Sequence, residues 1–167
     1  MRKRIVRTGP MIGGVLVAVA ASGAIAGSAT NVRVIEVTRK TTATREQVWQ
    51  LWAYVRNRTR WDSDLEYAKL DGPFRAGSMG EVKLEGQPAR KFLITHCEPL
   101  QGYTDSFFLP FYGRMDWHHT IKEMGGGREV TFRIEVSGPS ALILAPIMRN
   151  ILRDSLPPSI DKLVSLA

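Results

Sequence analysis

Hydrophobic and polar residues alternate along much of this chain, and the period of the alternation predicts its elements. Residues 31–40 alternate with a period of two and are rich in β-branched side chains, which is typical of a strand. Thr44 and Gln47 then have the spacing of a helix capping box. The apolar residues behind them recur at helical spacing, at Val48, Leu51, Trp52 and Val55.

The segment from residue 65 to residue 136 carries turns rich in glycine and proline at short, regular intervals. The sequence between these turns alternates in polarity, most clearly in 129–136, where Val130, Phe132 and Ile134 share one face with Val136. A sheet with one buried face and one solvent-exposed face is typically antiparallel. We therefore expect about six strands in this segment, joined as a meander.

Residues 140–167 return to a helical period. Pro146 is tolerated near the start of such a helix, whereas Pro157 and Pro158 remove two backbone donors and predict a kink. The apolar stripe of the helix consists of Leu144, Met148, Ile151, Leu152 and Leu156. The whole pattern predicts an α+β fold, in which a curved antiparallel sheet wraps around a long C-terminal helix.

The first 29 residues have a different character from the rest. A basic stretch without acids precedes residues 11–26, which are uncharged and apolar or small, and small residues follow. This is the pattern of a secretory signal peptide. An uncleaved N-terminal membrane anchor is the alternative, although a spanning helix needs roughly 20 apolar residues. We predict a signal peptide or anchor at 1–29, a folded domain at 30–167, and export to the periplasm, the cell envelope or the medium.

Composition and charge narrow the class of protein. The 167 residues, 44% hydrophobic and 23% charged, are typical of one globular domain. The net charge is +7, but four basic residues lie within 1–29, and residues 30–167 carry only +3. We therefore expect no nucleic-acid partner. Cys97 is the single cysteine, which excludes an internal disulfide and a cysteine-based zinc site. The sequence shows no nucleotide-binding or metalloprotease motif, and we expect neither a metal nor a cofactor.

Several short motifs, taken in their order along the chain, carry a family resemblance. They are Val48-Trp49-x-Leu51-Trp52, Arg60-Trp61, Leu70-Asp71-Gly72-Pro73-Phe74 with Gly77 and Gly80, Glu98-Pro99, Tyr103-Thr104-Asp105, Leu109-Pro110, His119 and Gly138-Pro139. Together they resemble the START-like (SRPBCC) superfamily, and within it the polyketide cyclase/dehydrase and lipid transport branch. The resemblance covers residues 33–167. It implies a helix-grip fold of seven antiparallel strands around the C-terminal helix, with a cavity for an apolar ligand. The export signal and the double proline depart from the pattern.

A ligand site is expected on the inner face of this fold. His119 shares its predicted face with Met115 and Trp117 and should point inward, while His118 should meet solvent. An inward histidine could orient a ligand by a hydrogen bond or act as a general acid or base. We expect the pocket to be lined by Trp61, Phe108, Trp117, His119, Phe132, Met148 and Leu152.

Two further surface features are expected. Residues 107–112 are almost wholly apolar or aromatic and include Pro110, so alternation cannot bury them all. Their exposed part would serve a ligand mouth or a membrane contact, or would fold back on a neighbouring loop. The basic run 56–60 and the acids Asp62 and Asp64 are expected to face water.

Three functions remain open at this point. The first is an exported domain that buries a small apolar ligand, either a lipid or an aromatic, polyketide-like metabolite. The second is a polyketide cyclase or dehydratase with His119 as acid/base, and the third is an envelope interaction protein that docks through residues 107–112 without a ligand. The scarcity of inward polar groups favours the binding protein over the enzyme.

Overall fold

The computed structural model describes residues 30–110 and 112–167 of the chain. The predicted signal or anchor segment, 1–29, lies outside the described residues. Among the residues that are described, no helix combines the length and the apolar character that crossing a membrane requires. The elements are β1 (Asn31–Thr41), α1 (Arg45–Ala53), a 3₁₀ helix (Val55–Arg60), β2 (Leu65–Asp71), β3 (Met79–Leu84), β4 (Arg90–Glu98), β5 (Gly102–Leu109), β6 (Gly113–Met124), β7 (Gly127–Ser137) and α2 (Ala141–Leu166).

The seven strands form one antiparallel sheet in the order β1-β7-β6-β5-β4-β3-β2. Strands β2 to β7 follow one another as a meander, and β1 pairs with β7 at the far edge. The connection from β1 to β2 is occupied by α1 and the 3₁₀ helix. The sequence-predicted α+β fold, with its curved antiparallel sheet and its long C-terminal helix, is confirmed.

Helix α1 begins at the predicted capping box. The Thr44 hydroxyl accepts a hydrogen bond from the Gln47 amide at 3.2 Å, and the Gln47 side chain accepts one from the Thr44 amide at 2.7 Å. Two amides that lack partners within the helix are satisfied in this way. The helix buries Val48, Leu51 and Trp52, which places an indole ring over the inner face of the sheet.

Helix α2 packs on β1 and β7. Val34 is the extra residue of a β-bulge in β1, and its carbonyl accepts a hydrogen bond from Arg149 Nε at 2.8 Å. Arg149 Nη2 donates to the Arg33 carbonyl, also at 2.8 Å. The arginine thus ties the helix to an edge strand of the sheet.

Pro157 and Pro158 do not divide α2, which runs as one helix across both of them. The carbonyls that lose their intrahelical donors belong to Arg153 and Asp154, four residues earlier. Both of these residues are exposed, so water can take the place of the missing donors. The helix is therefore continuous across the double proline, where the sequence predicts a kink.

Candidate ligand-binding site

The inner face of the sheet carries a polar group amid aromatic side chains. Tyr103 lies opposite His119, and Asp105 lies opposite Trp117, in the pairing of β5 with β6. His119 lies opposite Phe132 in the pairing of β6 with β7. Because residues at intervals of two share a face, all five side chains face the side of the sheet that α1 and α2 cover.

Arg58 enters this interior from the 3₁₀ helix. Its Nη1 donates a hydrogen bond to Asp105 Oδ2 at 2.9 Å, and its Nη2 donates to the Tyr103 hydroxyl at 3.0 Å. The guanidinium carbon lies 5.2 Å from the centre of the Phe92 ring and 5.5 Å from that of Tyr103. The side chains of Arg58 and Asp105 are only 6% and 3% exposed. The structure therefore contains a buried ion pair surrounded by aromatic rings.

His119 completes this group, which we call the polar cluster: Arg58, Tyr103, Asp105 and His119. Its imidazole stacks on the Tyr103 ring, with centroids 4.1 Å apart and planes 1° from parallel. It also meets Phe132 edge-on at 4.3 Å. Its Nδ1 lies 3.6 Å from Asp105 Oδ1, which is too far for a good hydrogen bond.

Three buried polar atoms of the cluster have no hydrogen-bond partner among the described residues: Arg58 Nε, Asp105 Oδ1 and His119 Nδ1. Buried polar groups are nearly always paired in native proteins. Leaving one unpaired costs about 1–3 kcal/mol. The cluster is therefore arranged to accept a further polar group.

Burial controls the protonation states of the cluster. Desolvation lowers the pKa of His119 to about 4, although the charge of Asp105 opposes this shift. Desolvation also raises the pKa of Tyr103 far above its usual range. Burial alone would lower the pKa of Arg58, but Tyr103 and Asp105 raise it overall. At neutral pH, His119 and Tyr103 are neutral. A histidine with a pKa near 4 is poorly matched to acid–base catalysis at pH 7.

Most of the residues predicted to line the pocket belong to the main apolar core or pack against it. Trp61 is buried, its Nε1 donates to the Leu51 carbonyl at 3.2 Å, and its ring lies 5.9 Å from that of Phe132. Five of the residues predicted to line the pocket lie in or against this apolar core: Trp61, Trp117, Phe132, Met148 and Leu152. His119 adjoins the core. The inward orientation predicted for His119 is confirmed, since the residue is 3% exposed.

Phe108 is the predicted pocket residue that the structure does not bring to this site. It is 64% exposed, whereas its neighbour Phe107 is half-buried and packs against the core. Adjacent residues of a strand point to opposite faces, so only one of the two can face α2. Phe107 takes that position.

A set of half-buried apolar residues from β5, β6 and α2 packs against the main apolar core. Phe107 and Trp117 are half-buried there, with ring centroids 6.4 Å apart. The N-terminal half of α2 adds Leu144 and Met148, which are also half-buried. Trp117 Nε1 is buried without a partner among the described residues. We call these four residues the apolar rim.

Sequence reasoning missed three of the four residues of the polar cluster. Arg58 was expected in a solvent-exposed basic run, but it is 5% exposed, because Asp105 and Tyr103 bind it. The available signal was the alternation in β5, which puts Asp105 on the same face as Tyr103 and Phe107. A carboxylate on an inward face needs a buried cation.

Asp62 also differs from expectation. It is half-buried rather than fully exposed. Burial raises its pKa to about 6, and the nearby charge of Asp64 adds to that shift. Asp64 itself is exposed, as expected.

Two open clefts of the described fold lie elsewhere. One, of about 360 Å³, is lined by α1, the 3₁₀ helix and the end of α2 near Leu166. The other, of about 500 Å³, lies at the glycine-rich turn between β6 and β7, beside Lys40. Neither is lined by a residue that the sequence predicted for the ligand site.

The comparisons with known proteins show the fold. No family model and no curated protein sequence matches the chain. Protein MLL2253 from Mesorhizobium loti superposes with a TM-score of 0.61 at 17% identity, over 79% of this chain and 94% of its own. Ara h 8.0201 gives 0.62 at 7% identity, over 83% and 98%. DynU16, a protein of the dynemicin biosynthetic locus, gives 0.54 at 16% identity, over 77% and 46%. The chain thus shares its fold with these three solved structures.

Proposed function

We propose that this domain binds a small, mainly apolar molecule between α2 and the inner face of the sheet. The observation that carries the proposal is the apolar rim, which remains half-buried beside an interior that holds unpaired polar atoms. Enclosing about 300 Å² of apolar ligand surface would contribute roughly 7 kcal/mol at about 25 cal/mol per Å², before the costs of association. A few polar groups among many apolar ones are typical of small-molecule sites.

The attachment of α2 is compatible with ligand entry. Arg149 ties the helix to β1 through two carbonyls, which is the edge of the sheet remote from β5. A small movement of α2 away from β5 would widen the rim and keep those bonds. Met148 lies on the moving face, and methionine adapts readily to the shape of a partner.

The proposal is tested with the neutral fluorescent probe N-phenyl-1-naphthylamine. We expect the probe to bind with enhanced fluorescence, and Phe107→Ala or Trp117→Ala to weaken its affinity about tenfold. Phe108→Ala is the matched control, since the same ring is removed from the opposite face of β5. Failure of the wild-type domain to bind the probe or a panel of fatty acids and naphthalenes would overturn the proposal. Equal affinity in a folded Trp117→Ala variant would exclude the rim.

We also propose that the protein is exported and that one end of the domain contacts a lipid surface. At this end Tyr112 is 97% exposed, Leu142 70% and Ile143 49%. Asn31, next to the predicted signal or anchor, pairs with Ser137 just before α2, so residues 1–29 join the domain at the same end. Arg114 also pairs with Ser137; its Nε binds Asp116 at 2.9 Å, but its side chain remains 51% exposed.

Flotation with vesicles of phosphatidylethanolamine and phosphatidylglycerol tests this contact. The sample is the domain 30–167, which contains every element of the described fold. We expect Ile143→Ser combined with Tyr112→Ser to reduce the bound fraction at least twofold. Met124→Ser, at a residue as exposed as Ile143 (49%) at the end of β6, should leave it unchanged. Equal flotation of both variants would contradict the proposed surface.

A further inference from the structure

Two unpaired atoms of the polar cluster face each other across a short gap. Asp105 Oδ1 and His119 Nδ1 are 3.6 Å apart, and both are buried without a partner among the described residues. Asp105 Oδ2 and the Tyr103 hydroxyl oxygen each accept a hydrogen bond from Arg58, and the third unpaired atom of the cluster is Arg58 Nε, which can only donate. The free capacity of the cluster is therefore one carboxylate oxygen, one imidazole nitrogen and the Nε–H of Arg58. The first two are close enough for a single small group to reach both.

The charge of the cluster restricts what that group can be. Arg58 neutralises Asp105 through a direct ion pair, so the cluster as a whole carries no net charge. A charged ligand group would then bring an uncompensated charge among aromatic rings, which costs several kcal/mol. The group that fits is neutral.

The hydrogen-bonding roles restrict it further. A carboxylate oxygen only accepts, so Asp105 Oδ1 requires a donor. A ketone or an ether has no proton to donate and would leave that oxygen unpaired. A hydroxyl can donate to Asp105 Oδ1 and at the same time accept from, or donate to, a neutral imidazole.

We infer that the interior site recognises a hydroxyl group, on an alcohol or a phenol, through Asp105 Oδ1 and His119 Nδ1. The inference rests on the proposed function and names the class of ligand, an apolar molecule that carries one hydroxyl. Its apolar part lies toward the rim, at Phe107 and Trp117. Trp52 and Phe132 flank the imidazole at 5.7 and 4.3 Å between ring centroids, and they exclude water from the hydroxyl.

The test compares 1-naphthol, 1-methoxynaphthalene and 1-naphthoic acid as ligands, by calorimetry or by quenching of tryptophan fluorescence. The three share one ring system and differ in the polar group. We expect 1-naphthol to bind at least tenfold more tightly than either of the others. In Asp105→Asn and in His119→Phe the preference should fall to less than threefold. Two variants are used because Asp105→Asn leaves Arg58 unpaired and can fail to fold.

His118→Ala is the matched control. His118 adjoins His119 but lies on the other face of the sheet, where its Nδ1 shares a hydrogen bond with the Thr104 hydroxyl at 3.0 Å. It should retain the full preference for 1-naphthol. Equal affinities of the wild-type domain for 1-naphthol and 1-methoxynaphthalene would overturn the inference, because water would then fill the cluster. The proposed function would still stand. An unchanged preference in folded His119→Phe would exclude this site. If no naphthalene binds, both proposals fail.

Discussion

Arg58 and Asp105 illustrate how much a single buried pair can contribute at the residue scale. Their charged atoms are 2.9 Å apart with almost no exposure. Removing one partner of a buried pair leaves an uncompensated charge, whereas removing both often costs little. We expect Arg58→Met and Asp105→Leu each to lower the free energy of unfolding by about 3–5 kcal/mol, and the double variant to recover most of the loss.

Urea unfolding of the wild type and the three variants measures this coupling. The comparison pair is Lys83 with Glu66, whose side chains are 33% and 47% exposed. Breaking it by Glu66→Gln should cost less than about 1 kcal/mol, because exposed pairs are screened by water. Additive effects of Arg58→Met and Asp105→Leu would show that the two residues do not act as a pair.

His119, which is buried, and Asp62, which is half-buried, should give the stability opposite pH dependences. Burial lowers the pKa of His119 from an ordinary 6.5 to about 4. Between these values the unfolded chain binds the extra proton, so the contribution of His119 is lost as the pH falls. Burial raises the pKa of Asp62 from 3.8 to about 6. Here the native state binds the proton, so the contribution of Asp62 is present at low pH and is lost as the pH rises to about 6.

The two contributions are separated by subtracting the free energy of unfolding of a single variant from that of the wild type at each pH. We expect the stability of the wild type relative to His119→Gln to fall by up to about 3 kcal/mol from pH 6.5 to 4, at about 1.36 kcal/mol per pKa unit. Relative to Asp62→Asn, the stability of the wild type should rise as the pH falls from 6 to 4. Urea unfolding at half-unit pH steps provides the measurement. Two difference curves of the same sign would contradict the assignment.

At the scale of elements, the joint between β7 and α2 depends on a glycine. Gly138 has a φ of +105°, and a Cβ there would lie 2.6 Å from the Tyr112 carbonyl oxygen. Gly72 has a similar φ of +98°, but a Cβ there would meet nothing within 4 Å. A side chain at either position would therefore strain the backbone. Only at Gly138 would it also collide with the turn before β6.

Alanine substitutions at these two glycines separate the two effects. We expect Gly72→Ala to cost about 1–2 kcal/mol, through strain alone. Gly138→Ala should cost at least about 1 kcal/mol more, because the turn has to move. Thermal or urea unfolding measures both. Equal losses would show that the turn accommodates the methyl group and that it does not position α2.

The elements were predictable where their causes are local. Thr44 caps a helix that starts three residues before Val48, and the period-two pattern of β7 requires only the neighbours of each residue. The course of α2 was less predictable, because the effect of Pro157 and Pro158 depends on whether the carbonyls they leave unpaired reach water. That is a property of the packed helix.

At the scale of the whole molecule, the core is unequally divided. The main apolar cluster, with twenty buried residues, joins α1 and α2 to β1 and β5–β7. A second cluster of five lies against β2–β4: Val55, Ala68, Val82, Phe92 and Ile94. Strand β2 is also an edge of the sheet. Regions with few buried apolar contacts open at lower free energy, so the two ends of the sheet should differ in local stability.

Native-state hydrogen exchange followed by mass spectrometry measures this difference. We expect amides of β2 and β3 to exchange at least tenfold faster than those of β6 and β7. The ratio should increase when a ligand occupies the site, because binding stabilises the end that contains the rim. Uniform protection across the sheet would show that the two clusters unfold as one unit.

Sequence by itself determined the features that arise between near neighbours: the strands, the capped helix, the terminal helix and the inward side of His119. The fold class followed from their order along the chain. Only the tertiary structure decided that Arg58 leaves its basic run to meet Asp105, 47 residues further on, and that Phe107 rather than Phe108 faces α2. These outcomes depend on which side of the sheet the helices cover and on the desolvation of charges far apart in the chain. The period of a strand shows which residues share a face, but it does not show which face the helices cover or which distant cation comes to it.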